Sequence, residues 1–217
     1  MERMSSLSPS QMARIAGALY LVNILLGAFA IGVVSAVVVV SGDPAATARN
    51  IQSHELLFRL GLAAHVVVTL TNIGLALLFY ELFKVVNRQL AMLVVFFTLV
   101  ATAIEAAGIA GQEASLSYSS AGYDVSTVFF GGYALSIGYL VLRSTFMPRA
   151  IGALMLIDGV AYLGNSFTTI VAPDFATHLV PYIQLPTLFG EGSLCLWMLI
   201  AGVDESRWRS RAAAAVE

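Results

Sequence analysis

Residues 56–83 read LLFRLGLAAHVVVTLTNIGLALLFYELF, a run in which the only formally charged side chains are Arg59 near the start and Glu81 near the end. A bilayer hydrocarbon core of ~30 Å needs about 20 apolar residues at ~1.5 Å rise each, so this segment is long enough to cross a membrane as one helix. It shows none of the ten-residue dyad alternation that marks a transmembrane β-strand. Five further runs of the same kind flank it, at roughly Ile15 to Val40, Leu90 to Gly111, Val125 to Leu142, Ile151 to Val171 and Val180 to Val203. The fold class expected is therefore all-α, a polytopic transmembrane bundle of about six helices.

Composition agrees. Of the 217 residues, 59% are apolar and only 11% charged, with a mean hydropathy of +0.85. A soluble domain carries ~25% charged residues, and this chain could not cover a water-facing surface. Soluble enzymes, nucleic-acid binders and disordered chains are excluded together. The net charge of −2 comes with no basic run, so no phosphate-binding face is present and no nucleic-acid partner is expected. A single cysteine, Cys195, rules out a disulfide framework and any CxxC site. A signal peptide is the competing reading of the first run, with Arg3 and Arg14 before it and Ala28-Phe29-Ala30 as a cleavage site. The run continues ten residues past that point, longer than a cleavable segment of ~7–15 residues.

Orientation follows from charge. If six helices alternate, nine of the eleven Lys and Arg residues fall on one side, leaving only Arg49 and Arg59 on the other. The positive-inside rule then puts both termini, and the turns at 84–89 and 143–149, in the cytoplasm. The expected organisation is a cytoplasmic tail over 1–13, one transmembrane domain over 14–204 and a cytoplasmic tail over 205–217, in an inner (plasma) membrane. Tyr80, Tyr139 and Trp208 would form the inner aromatic belt, and Tyr118, Tyr123 and Tyr182 the outer one. Asp43-Pro44 reads as a helix cap followed by proline at the first helical position, predicting a short surface helix between spans one and two. Pro181 and Pro186 would bend the entry to span six.

Ionisable and amide side chains inside the spans are the functional signal, because each costs several kcal/mol in lipid and normally faces the bundle interior. They recur at helical spacing: His65, Thr69 and Asn72 in span two; Thr98, Thr102, Glu105 and Gln112 in span three; Asp158, Tyr162 and Asn165 in span five; Gln184, Thr187, Glu191 and Cys195 in span six. Depth counted along each helix allows one polar pocket of Arg59, His65, Glu105, Asn165 and Glu191 in the outer half, between spans two, three, five and six. Asn72, Gln112 and Asp158 are secondary candidates, with Asp158 set apart in the inner half. Structural readings compete with this. Arg59 is close enough to the surface to pair with Glu55 one turn earlier. His65 has no second histidine at metal spacing, the two glutamates can pair with Arg59 or His65 to fix packing, and Asp158 can bond across a close helix contact.

Several stretches together resemble a bacterial integral-membrane family known as domain of unknown function 4386. They are Ala13-Arg14-Ile15-Ala16-Gly17 with Tyr20, Glu55-Leu-Leu-Phe-Arg59-Leu-Gly61, Glu105, Tyr139-Leu-Val-Leu-Arg143-Ser144 with Pro148-Arg149, and Gly190-Glu191 with Trp197 and Gly202, in that order over residues 11 to 204. The resemblance implies a multi-helix membrane protein and transfers no catalytic residue or cofactor.

Three functions fit. One is a non-enzymatic bundle that binds a lipid, another apolar small molecule or a protein partner, with self-association left open. Another is an intramembrane enzyme acting on an isoprenoid or lipid, with Glu105 or Glu191 as general acid. The third is a proton-coupled transporter using Glu105, Glu191 and Asp158, weakened by the lack of inverted repeats. No P-loop, HExxH or GxSxG is present, Gly190-Glu191-Gly192-Ser193 is not a nucleophile elbow, and no DxxxD pair exists. No metal and no cofactor are expected.

Overall fold

A computed structural model describes residues 7–115, 121–179 and 182–215, without the side chains of residues 114–115 and 121–123. Tyr118, the Tyr123 side chain and Pro181, which the sequence assigns to the outer boundary, lie outside the described residues. Six helices are long and apolar enough to cross a membrane: Pro9–Val38, Glu55–Phe83, Arg88–Glu113, Asp124–Arg143, Arg149–Val171 and Tyr182–Ile200, called spans one to six. The protein is a multi-pass membrane protein, and no strand occurs among the described residues.

The first helix begins at Pro9, ahead of the apolar run at Ile15, because a capping box stabilises its start. Ser8 Oγ accepts from the Gln11 N–H at 3.3 Å, while the Gln11 side chain accepts from the Ser8 N–H at 2.9 Å. Within span one, Ala28–Val34 is π-helical. The surface helix expected after Asp43 is present as Pro44–Ser53, capped by Asp43 Oδ1 accepting from the Ala46 N–H at 2.8 Å. After span six a further helix, Glu205–Ala214, returns beneath the bundle, and its Trp208 indole N–H donates to the Leu82 carbonyl at 2.8 Å. Trp208, expected in the inner aromatic belt, thus docks this helix against span two.

Each span packs on its neighbours in sequence, and span six closes on span one, so the six form a ring. Lipid tails are as apolar as leucine, so the ring is held by close packing rather than by escape from water. Glycines set the closest approaches. A Cβ added at Gly138 would stand 2.8 Å from the Leu156 N, and one at Gly152 would stand 2.8 Å from the Gly138 carbonyl, so spans four and five touch backbone to backbone. Gly17 gives span one the same intimacy with the Leu199 backbone of span six.

The main core fills only one half of the ring. Its buried residues are Met12 to Tyr20, Leu75 to Phe83, Ala91 and Val94, Tyr133 to Met147, Ile151 and Met155, and Leu194 to Val203, all from the half that carries both chain termini. Phe79 anchors it, with ring centroids 6.1 Å from Tyr20, 6.3 Å from Phe83 and 6.1 Å from Tyr133. In the other half, a small separate cluster of Val34, Val38, Ile51 and Phe58 ties the end of span one to the surface helix and the start of span two.

Candidate functional site

Above the packed half, the middle of the ring is hollow. A cavity of about 530 Å³ is lined by residues from all six spans, within the ~300–1,000 Å³ typical of small-molecule sites. Its position follows from the sequence. Facing positions that are Phe, Leu and Met toward the termini become Asn, His, Glu, Gly and Thr one or two turns further on, and these neither fill the space nor pair completely.

The floor is built by three tyrosines and a carboxyl. Tyr162 on span five donates to Glu191 Oε1 on span six at 3.2 Å, and the Tyr20 hydroxyl stands beside the same carboxyl. Tyr133 in turn donates to the Tyr20 oxygen at 3.4 Å. Spans one and two are joined at this level by Asn23, whose Nδ2 donates to Asn72 Oδ1 at 2.8 Å and to Thr71 Oγ1 at 3.1 Å. Such interhelical hydrogen bonds fix rotation more than they add stability, at roughly 0.6–2 kcal/mol each.

A second carboxyl lies further toward the open end. Glu105 on span three is 4% exposed; its Oε1 accepts from Ser126 Oγ at 3.4 Å and lies 3.7 Å from His65 Nε2 on span two. Its Oε2 is buried without a hydrogen-bond partner, as is Asn165 Oδ1. Buried polar atoms left this way cost ~1–3 kcal/mol apiece in an apolar setting, and both residues line the cavity. Among the described residues no group of three or more His, Cys, Asp or Glu is arranged to hold a metal ion, and no Lys or Arg lines the cavity.

Of the five residues expected to share a pocket, His65, Glu105, Asn165 and Glu191 line the cavity. Arg59 does not. Its guanidinium reaches back one turn to Glu55 Oε1 at 2.8 Å, with nearly half the side chain exposed, because residues four apart on a helix share a face. Among the secondary candidates Asn72 lines the cavity, whereas Gln112 and Asp158 do not. Asp158 is closer to the site than its depth along span five implies. Gly190 has no side chain, so span six lies directly on Asp158, a Cβ at Gly190 standing 2.9 Å from the Asp158 Cβ. Glu191 and Thr187 are the polar groups beside the Asp158 carboxyl, and neither of its oxygens meets a hydrogen-bond partner at good geometry.

Spans one and four also contribute, which the polar stripes alone do not reveal. Tyr20, Asn23 and Gly27 follow one another at helical spacing and all line the cavity, a weaker signal than a carboxylate because tyrosine and asparagine carry no charge. Tyr133 stands among apolar residues and glycines in span four, with Ser136 as its one polar neighbour at i±3 or i±4.

A ring of six spans, closed at the terminal end and hollow with convergent polar groups at the other, defines a membrane protein with an intramembrane cavity. The chain belongs to the family described as domain of unknown function (DUF4386), whose model matches residues 15–202. A protein of Archaeoglobus fulgidus, described as uncharacterized, is 27% identical over 135 residues, covering 62% of this chain and 79% of its own length. No solved structure matches.

Proposed function

We propose that the protein binds one amphiphilic membrane molecule, a lipid or a compound of similar build, in the cavity between its six spans. The observation that carries this reading is the hollow itself: a volume of about 530 Å³ with mainly apolar walls and a few polar groups gathered at Glu191, Glu105 and Asn165. The polar end of the ligand would lie between Tyr162, Asn165 and Glu191, with its hydrocarbon along Ile24, Ile31 and Leu188. A phosphate head would meet two carboxyls and no Lys or Arg among the described lining residues, so the head is an amine, hydroxyl or carbonyl group rather than an anion. The ring lies in a plasma membrane with both termini cytoplasmic, as the charge asymmetry supports, which puts the cavity in the outer half of the bilayer.

Native mass spectrometry of the protein purified in mild detergent tests the reading. A defined adduct on the wild type, lost in Glu191→Gln but retained in Glu81→Gln, is the expected result. Glu81 is the control because its carboxyl pairs with Lys84 at 2.5 Å, away from the cavity. A clean protein mass under conditions that keep the fold intact would overturn it.

A further inference from the structure

Spans one and six touch at the closed end and part company further out. Gly17 presses span one against the Leu199 backbone, and Gly190 presses span six against Asp158 of span five. Beyond Gly27 the π-helical stretch Ala28–Val34 packs on span two instead. Its last residue, Val34, seats against Gly61, where an added Cβ would be 3.0 Å from a Val34 methyl carbon, and together with Val38 it packs with Ile51 and Phe58. A π-helical turn is wider than an α-turn and re-aims the helix beyond it. Here that stretch packs on span two, while span six packs on the part of span one that precedes it.

Three glycines stand at the resulting separation. Gly27 and Gly32 on span one and Gly192 on span six all line the cavity, and a Cβ on any of them would meet nothing within 4 Å. The contrast with Gly17 and Gly190 in the same two helices is the informative point: there a glycine is needed for contact, here it borders empty space. The cavity behind them holds a carboxyl oxygen, Glu105 Oε2, on a side chain only 3% exposed and without a hydrogen-bond partner. Leu25, two residues before Gly27, does not line the cavity and is 60% exposed, whereas Leu188, one turn before Gly192, lines the cavity and is still 62% exposed.

We infer that the separation between spans one and six, bordered by Gly27, Gly32 and Gly192, is a lateral portal through which the alkyl chain of a neutral or cationic amphiphile passes between the bilayer and the cavity. This rests on the amphiphile-binding reading above. With its head at Glu191, directly before Gly192, a ligand can leave its chain in the hydrocarbon layer, so chain length is not limited by the cavity volume. A bulky side chain at Gly192 closes the passage without disturbing a packed contact.

The test uses the full chain in lipid nanodiscs, with dodecylamine as the long probe and butylamine as a probe short enough to fit wholly inside. Wild type binds both. Gly192→Phe is expected to weaken dodecylamine at least about tenfold more than it weakens butylamine. Gly32→Phe, on the opposite rim, does the same and stands in if the first variant does not fold. Val160→Phe, which places the same side chain at a lipid-facing position 64% exposed on span five, changes neither. Wild-type affinity for dodecylamine in both rim variants overturns the portal while leaving the cavity as the binding site, as does an equal loss in Val160→Phe. Failure of wild type to bind either amine overturns the binding reading itself.

Discussion

Replacing glycine by alanine at two positions in this ring adds the same methyl group with opposite consequences. At Gly138 the new Cβ would lie 2.8 Å from the Leu156 N and 2.9 Å from the Gly152 carbonyl oxygen. Comfortable non-bonded separations are about 3.5–4.0 Å, so spans four and five must move apart by roughly 0.7 Å or more along the seam. Overpacking of this kind costs ~1–3 kcal/mol. At Gly27 the same Cβ meets nothing within 4 Å. Both sites are helical, so both variants gain the ~0.8–1 kcal/mol by which alanine exceeds glycine in a helix, and that gain cancels in the comparison. Gly27→Ala should therefore be as stable as wild type or more so, and the two variants should differ by about 1–3 kcal/mol, the packing cost alone. The assay is unfolding in mixed micelles of rising dodecyl sulfate content, followed by the fluorescence of Trp197 and Trp208. Equal stability of the two variants, or a larger loss at Gly27, would refute the assignment of a tight seam between spans four and five and of open space beside span one.

Two further outcomes are expected from the closed end and from the charge asymmetry. Asp204 is held below its ordinary carboxyl range by the hydroxyl of Ser206 and the Arg207 N–H, and Glu205 by the hydroxyl of Ser8, then by Arg209. Lowered carboxyl values contribute stability that is full above the ordinary range of roughly pH 4 and is lost as pH falls through the lowered values. The Glu205–Ala214 helix should thus stay docked on acidification to about pH 5 and loosen only below about pH 4, read from Trp208 fluorescence; loosening near neutrality would contradict this. An alkaline phosphatase reporter fused after Gly122 should be active and one fused after Val203 inactive, and the reverse pattern would invert the proposed orientation.

The six spans and the short helix after Asp43 are legible because lipid imposes one demand, long uncharged runs between charged or breaking residues, that sequence displays directly. The packed and hollow halves are not. Both are apolar on hydropathy, and the distinction rests on side-chain volume at facing positions, Phe79 and Met155 against Gly27 and Asn165, which only the ring arrangement brings together. His65, Glu105, Asn165 and Glu191 are visible as candidates because polar groups are rare inside spans. Arg59 is misplaced by counting depth because depth along a helix says nothing of rotation about it, and rotation points its guanidinium at Glu55. Tyr20, Asn23 and Tyr133 escape a sequence reading because spans one and four hold no carboxyl or histidine with which they would form a stripe. The π-helical stretch Ala28–Val34, on which the inferred portal rests, is likewise not announced by an apolar sequence.

The central claim is that Glu191 receives the polar end of a neutral or cationic amphiphile, and its most direct test is the head-group preference of the cavity before and after that carboxyl is removed. Dodecylamine and dodecyl phosphate should be titrated against wild type and Glu191→Gln in nanodiscs. The glutamine keeps an oxygen for the Tyr162 hydroxyl, so the fold is expected to persist, while a charge-assisted hydrogen bond of ~1.5–3 kcal/mol is lost to the amine. The account predicts that wild type prefers the amine over the phosphate and that Glu191→Gln weakens the amine about 10- to 150-fold. Preference for the phosphate, or an amine affinity unchanged in Glu191→Gln, would contradict it.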